Sequence, residues 1–192
     1  MTRVYRCIQG ILRFLFALLF PIRVEGLENF PQSGAVMLCC NHISLRDPVL
    51  LIAICPRTIR FMAKAELFRC KPFGWLLRQM GAFAVKRGES DLGSVRAALD
   101  VLREGSVMGI FPQGHRDTGD ADRALKNGAA MIALRSGATV LPAHVEGPYR
   151  LFHPIHVCFH PPVDLADLRR GVNSLALAEA TERIAEGIWK NT

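Results

Sequence analysis

From Pro21 onward, short apolar runs alternate with segments of helical period, and their order predicts an α/β fold. Residues 35–40 form an uninterrupted apolar run after the turn residues Pro31-Gln32-Ser33-Gly34, the mark of a short buried strand. Mostly apolar stretches at 59–63, 82–85, 106–111, 139–143 and 155–159 are further strand candidates. Helices fall between them. Asp47-Pro48 reads as a helix opening, with Asp at the N-cap and Pro at the first helical position. Ser90 caps a helix carrying Leu92, Val95, Leu99 and Leu102, which Gly105 ends. Another spans 126–135, closed by Gly137, and a last amphipathic helix runs over 174–189. Helices that repeatedly separate short strands build a layered α/β structure, and with no repeat, low-complexity stretch or linker the chain reads as one domain.

The segment before Pro21 has a different pattern. Residues 4–20 are mostly apolar but interrupted by Arg6, Gln9 and Arg13. At about 100° per residue, Arg3, Arg6, Gln9 and Arg13 share one helical face, with Val4, Ile8, Ile11, Leu12, Leu15 and Leu19 opposite. The unbroken run 14–20 is far below the ~20 residues that span a bilayer. Phe20-Pro21-Ile22-Arg23 offers no small-residue cleavage site. The pattern predicts a helix over 1–21 that lies in a membrane interface, with a core-packed helix as the alternative.

Composition narrows the partners. The chain has 192 residues, half of them hydrophobic, and a net charge of +7. Its pI is near 9.4 and its mean hydropathy +0.20. Such a chain expects an anionic partner: a membrane surface, a phosphorylated ligand or nucleic acid. With two Trp and two Tyr and no aromatic–basic recognition motif, nucleic acid is set aside. The six cysteines show no CxxC spacing, and Cys39 and Cys40 sit in an apolar run, so they read as reduced core thiols on the cytosolic side.

Two polar clusters follow strands. His42 ends the run 35–40, at the strand edge where open α/β sheets bind ligands, and Asp47 lies five residues on. A neutral imidazole can take a proton from an attacking hydroxyl, and a carboxylate on its other nitrogen stabilises the imidazolium that forms. On those two residues alone, a capped helix beside a loop histidine is the plainer reading. The stretch Phe111-Pro112-Gln113-Gly114-His115-Arg116 adds a glycine turn and an arginine able to fork onto a phosphate. Between Leu51 and Arg87 the only acid is Glu66, against Arg57, Arg60, Lys64, Arg69, Lys71, Arg78, Lys86 and Arg87. Lys126 opens a helix beyond.

Four blocks in order, Asn41-His42 with Asp47, Gly81 to Arg87, Phe111-Pro112-x-Gly114-x-Arg116 and Val140-Leu141-Pro142, resemble those of the glycerolipid acyltransferases. Within that family the chain is most similar to the 1-acylglycerol-3-phosphate (lysophosphatidate) acyltransferases. The likeness covers about 22–162, with Arg23 to Asn29 and Lys126-x-Gly128-Ala129 as connecting segments. The resemblance implies an acyltransferase domain over 22–192 and a peripheral enzyme on the cytoplasmic face of the membrane. That enzyme would move a fatty acyl group from acyl-CoA or acyl-carrier protein to the free hydroxyl of lysophosphatidate, with no metal or cofactor. His42 would be the general base and Asp47 its partner. Arg87, Arg116 and Lys126 would hold the glycerol phosphate beside Gly114, and Pro142 would shape the acyl pocket.

Three positions depart from the family pattern. Gln113 stands where Glu is usual, Lys86 where Asp often precedes the arginine, and His115 where Thr or Ser is common. Glutamine keeps the size and reach of Glu but loses its charge; its expected task is to hold the turn at Arg116 by amide hydrogen bonds. A drifted site would make the chain a catalytically silent phospholipid-binding protein, and another lysolipid acceptor is the rival within the enzyme class. His156, Cys158 and His160 share a strand face but read as structural, since no fourth metal ligand is near. Ser44 lacks the G-x-S-x-G surroundings of a serine nucleophile.

Overall fold

The computed structural model describes residues 2–85, 91–115 and 125–190. Its described residues form a seven-stranded sheet in the order β1-β7-β6-β2-β5-β3-β4. The strands are β1 (Ile22–Glu25), β2 (Val36–Cys40), β3 (Ile59–Lys64), β4 (Phe83–Val85), β5 (Val107–Ile110), β6 (Thr139–Glu146) and β7 (Ile155–Phe159). Strands β2 to β6 run parallel, so their carboxyl ends share one edge; β7 turns antiparallel to β6, and β1 adds parallel to β7. Strand β2 lies at the centre, all five residues buried, as its unbroken apolar run requires.

Helices cover both faces. The side chains of Val36, Leu38 and Cys40 meet α1 (Arg3–Leu19) and α2 (Asp47–Ile54) on one side. Met37 and Cys39 meet α4 (Asp91–Arg103), α5 (Asn127–Ser136) and α6 (Ser174–Ile188) on the other. Burial raises the thiols of Cys39 and Cys40 well above the ordinary range, so both act as small core residues. The predicted strands are all present within a few residues of their expected ends. Two elements were not predicted: β1, and α3 (Lys71–Gln79), which follows a 3-10 turn at Ala65–Phe68.

Helix α1 is amphipathic in a way the simple two-face reading misses. Tyr5, Phe16 and Phe20 are buried, and Gln9, grouped with the arginines on a polar face, points inward. Its amide donates to the carbonyls of Ile52 and Cys55, at 2.9 and 2.8 Å, at the end of α2. The Tyr5 hydroxyl accepts from the Ile59 N–H at 3.2 Å. An outer ridge of Val4, Ile11, Phe14, Leu15 and Leu18 stays exposed. The helix is therefore both docked on the core and apolar outward. Among the described residues no helix is long and apolar enough to cross a membrane.

Candidate active site

The carboxyl edge of the parallel strands carries the site. Strand β2 ends at Cys40, and Asn41 then bonds with Val145 in β6: its amide donates to the Val145 carbonyl at 2.8 Å and its oxygen accepts the Val145 N–H at 2.7 Å. That pair of hydrogen bonds extends the pairing of β2 with β6 and fixes the chain just ahead of His42. The next four residues curl into a turn, closed by Asp47 N–H to the Ser44 carbonyl at 3.1 Å.

Asp47 is not the N-cap its Asp-Pro sequence predicts. It is the first residue of α2, Arg46 takes the cap position, and the carboxylate folds back over the preceding turn. There Oδ2 accepts from Ile43 N–H at 2.8 Å, Ser44 N–H at 2.7 Å and His42 Nδ1 at 2.7 Å. Two backbone amides already donate to that oxygen, so the carboxylate is an acceptor and Nδ1 carries the proton. Nε2 is left with its lone pair, the tautomer a general base needs. Asp47 is fully buried, while His42 keeps 15% of its side chain open.

The other carboxylate oxygen accepts from the Tyr149 hydroxyl at 2.6 Å. Sequence reasoning did not find Tyr149. It lies in the loop between β6 and β7 with φ of +43°, a left-handed conformation that costs a bulky residue free energy. Its ring packs edge-on against Phe20 and under the Arg46 guanidinium. Burial first, then the Asp47 charge, push its hydroxyl far above the usual phenol range, so it remains a donor.

Gln113 supports the histidine from the other side. It is 1% exposed, and its carboxamide oxygen accepts the backbone N–H of His42 at 3.0 Å. The turn at Arg116, which Gln113 is expected to hold, lies outside the described residues; the bond seen here holds the backbone at His42. A carboxylate could accept the same N–H, which accounts for Gln standing where the family has Glu. Gln113→Glu is expected to keep turnover within a few-fold, and Gln113→Ala to lower kcat and cost ~1–3 kcal/mol of stability by stranding a buried amide. Steady-state rates and thermal unfolding of the two variants check this.

His42 lines a cleft of about 540 Å³. Its ring stacks on Phe111 at 4.2 Å, and Phe111 stacks on Phe61 at 5.7 Å. Gly109 permits that layer, since a Cβ there would come within 2.2 Å of the Phe61 ring. Apolar groups of Met62, Val95, Ile110 and Ile132 line the rest. Lys64 and Lys126 bring positive charge, and among the described lining residues none is acidic. Gly114 has φ of +77°, and a Cβ on it would lie 2.9 Å from Lys126 Nζ, so the lysine chain crosses the bare glycine. The first turn of α5, with Gly128, borders the cleft beside it.

The structure thus brings together His42, Asp47, Gln113, Gly114 and Lys126. Arg87 and Arg116 lie outside the described residues, although Val85 and Gly114, just before each, line the cleft. Pro142 does not line it: its ring sits against α6, where a Cβ on Gly187 would approach Pro142 Cγ to 2.7 Å. Its partner in β2, Cys39, belongs to the face covered by α4, α5 and α6, so Pro142 supports the sheet on that side. His156, Cys158 and His160 follow the strand alternation expected of them, with Cys158 Sγ 3.8 Å from His160 Nδ1. Among the described residues no cluster of three or more His, Cys, Asp or Glu could hold a metal.

An imidazole with a buried acid behind it and a cleft in front that carries two lysines and apolar side chains can take a proton from a hydroxyl, as a transferase to a hydroxyl requires. Comparison with known proteins gives the family. A family model described as Acyltransferase matches residues 21–146. The chain is 34% identical over 146 residues to 1-acyl-sn-glycerol-3-phosphate acyltransferase of Bacillus subtilis, covering 76% of this chain and 72% of that one. It is 31% identical over 135 residues to lyso-ornithine lipid O-acyltransferase of Pseudomonas aeruginosa, covering 70% of this chain and half of that one. The crystal structure of the 1-acyl-sn-glycerophosphate (LPA) acyltransferase of Thermotoga maritima superimposes with a TM-score of 0.70, at 24% identity, over 97% of this chain and 81% of that one. This chain belongs to the acyltransferase family.

Proposed function

We propose that the protein transfers a fatty acyl group from a thioester, acyl-CoA or acyl-carrier protein, to the free hydroxyl of 1-acylglycerol-3-phosphate, forming phosphatidate at a membrane surface. The observation that carries this reading is the 2.7 Å contact between His42 Nδ1 and Asp47 in a cleft lined by two lysines and by apolar side chains. In the reaction, the acceptor hydroxyl attacks the thioester carbonyl as its proton passes to His42 Nε2. Collapse of the tetrahedral intermediate breaks the C–S bond, and the imidazolium returns the proton to the departing thiolate. Asp47 holds the ring and offsets its transient charge. The outer ridge of α1 supports peripheral attachment, with the apolar side chains seated among lipid headgroups.

The phosphate is assigned to Lys126, Arg116 and Arg87, with the α5 amino terminus adding partial positive charge. An acceptor headed by ornithine pairs a carboxylate with an ammonium group and has no net charge, whereas the phosphate is a net anion; two lysines and no described acid in the cleft favour the phosphate. Lys126→Ala and Arg116→Ala are each expected to lower kcat/KM for lysophosphatidate about tenfold to a hundredfold. Use of monoacylglycerol, which has the hydroxyl but no phosphate, should change far less. Parallel kinetics on both acceptors read the difference. Equal losses on the two would remove the phosphate assignment, and better use of a lyso-ornithine lipid than of lysophosphatidate would replace the acceptor.

A further inference from the structure

We infer that the segment after β3, from the turn Ala65–Phe68 through α3, is a second membrane-docking surface at the rim of the cleft, fitted to an anionic bilayer. This rests on the lipid acceptor proposed above. A helix of nine residues in a folded domain normally hides an apolar stripe, yet the one buried residue of α3 is Gly74. A Cβ there would come within 2.7 Å of the Phe68 carbonyl oxygen, so α3 rests on the backbone of the preceding turn. Leu77 is partly covered, but three large apolar side chains are left outside: Trp75 is 55% exposed, Phe73 45% and Leu76 37%, with Leu67 on the turn 42%.

Charge identifies the occupant. Lys64, Arg69, Lys71 and Arg78 are interleaved with these side chains and exposed, against one acid, Glu66. Exposed apolar groups that included a tryptophan, ringed by cations, fit the headgroup level of an anionic bilayer, where an amphipathic ring and a basic side chain are both satisfied. A protein partner's apolar surface would leave those cations without counter-charge. Position agrees with chemistry, because the segment starts at Lys64, which itself lines the cleft. Other loops at the same carboxyl edge add exposed apolar groups. Leu45 follows His42 by three residues, and Leu151 and Phe152 lie between β6 and β7. Phe152 has φ of +62° and its N–H bonds to the Leu19 carbonyl at 2.9 Å, so α1's last turn holds that loop in place. Docking here would let a lysolipid enter the cleft directly from the bilayer.

The sequence holds two tryptophans, so Trp189→Phe leaves Trp75 as the sole emitter. The full chain carrying that change is mixed with vesicles of equal phosphatidylglycerol and phosphatidylcholine. Trp75 emission is expected to shift to the blue, to be quenched by lipids brominated near the headgroup end of the acyl chain, and to lose acrylamide quenching several-fold. Trp75 that stays open to acrylamide in vesicle-bound protein would overturn the inference, since α1 alone would then be the attachment. In a second arm, Phe73→Ser/Trp75→Ser/Leu76→Ser should lose about tenfold or more in kcat/KM on bilayer-presented lysophosphatidate. It should keep wild-type rates on a short-chain lysophosphatidate supplied below its micelle concentration, which also shows that the variant is folded. Equal rates of variant and wild type on bilayers would likewise count against the surface. If lysophosphatidate is not acylated in any form, the acceptor reading fails while the Trp75 result still decides the docking.

Discussion

Replacing His42 with alanine is expected to lower kcat by about 10²–10⁴-fold, the range contributed by a positioned general base. The fold should survive. Asp47 keeps its two backbone donors from Ile43 and Ser44 and its Tyr149 partner, so no buried charge is stranded. The His42 backbone N–H still meets Gln113. What is lost besides the base is the stacking on Phe111, a contribution of ~0.5–1.5 kcal/mol. Single-turnover rates together with a thermal melt separate the two effects. A folded His42→Ala protein with near-normal turnover would mean that another group removes the hydroxyl proton.

Asp47 has the second large effect, and here chemistry and stability move together. Asp47→Asn keeps the shape: the amide oxygen can face the donors from Ile43, Ser44 and His42, while the amide nitrogen meets Tyr149, whose hydroxyl must turn to accept. The charge is gone, so the imidazolium loses its partner and kcat should fall by roughly 10²–10⁴-fold with a modest drop in Tm. Asp47→Ala goes further. It leaves the Ile43 and Ser44 amides, the His42 ring and the Tyr149 hydroxyl without their acceptor, at ~1–3 kcal/mol for each group that water cannot reach. That variant should melt far below the wild type. Tyr149→Phe removes one donor and leaves the charge, so its loss of kcat should be much smaller than that of Asp47→Asn. If the two were equal, Tyr149 would be orienting the acid rather than merely filling the space beside it.

The residues that were legible in sequence share a reason. The central strands β2 and β5 are buried on both faces and read as apolar runs, and Gly105 and Gly137 end their helices with φ of +69° and +66°. The edge strand β1 has four residues with alternating burial and no run to detect. Helix α3 has no side-chain cap and fully buries only Gly74, so neither signal of a core helix is present. In α1, the inward turn of Gln9 follows from two carbonyls at the end of α2 that local periodicity cannot see.

The site divides in the same way. His42 and Asp47 are five residues apart, and a turn brings them together, so their pairing lies within reach of sequence reasoning. The acid's other partner, Tyr149, is 102 residues away, and Asn41 reaches Val145 across 104. Gln113 was recognised as a site residue, but its acceptor role toward the His42 amide spans 71 residues and depends on β2 and β5 being neighbours in the sheet. Pro142 illustrates the opposite error: a position in a family motif was given to the cleft, and the strand alternation turned it toward α6.

Acyl transfer itself is the most direct measurement. The purified chain would be supplied with lysophosphatidate and, in turn, with acyl-CoA and acyl-carrier protein, and the products identified by mass spectrometry beside a free-thiol assay. Phosphatidate carrying the donor's acyl chain is expected, with one thiol released for each molecule formed, and neither product from His42→Ala. Binding of lysophosphatidate with no acyl transfer from either thioester would contradict it, and would make this chain a phospholipid-binding protein on an acyltransferase fold.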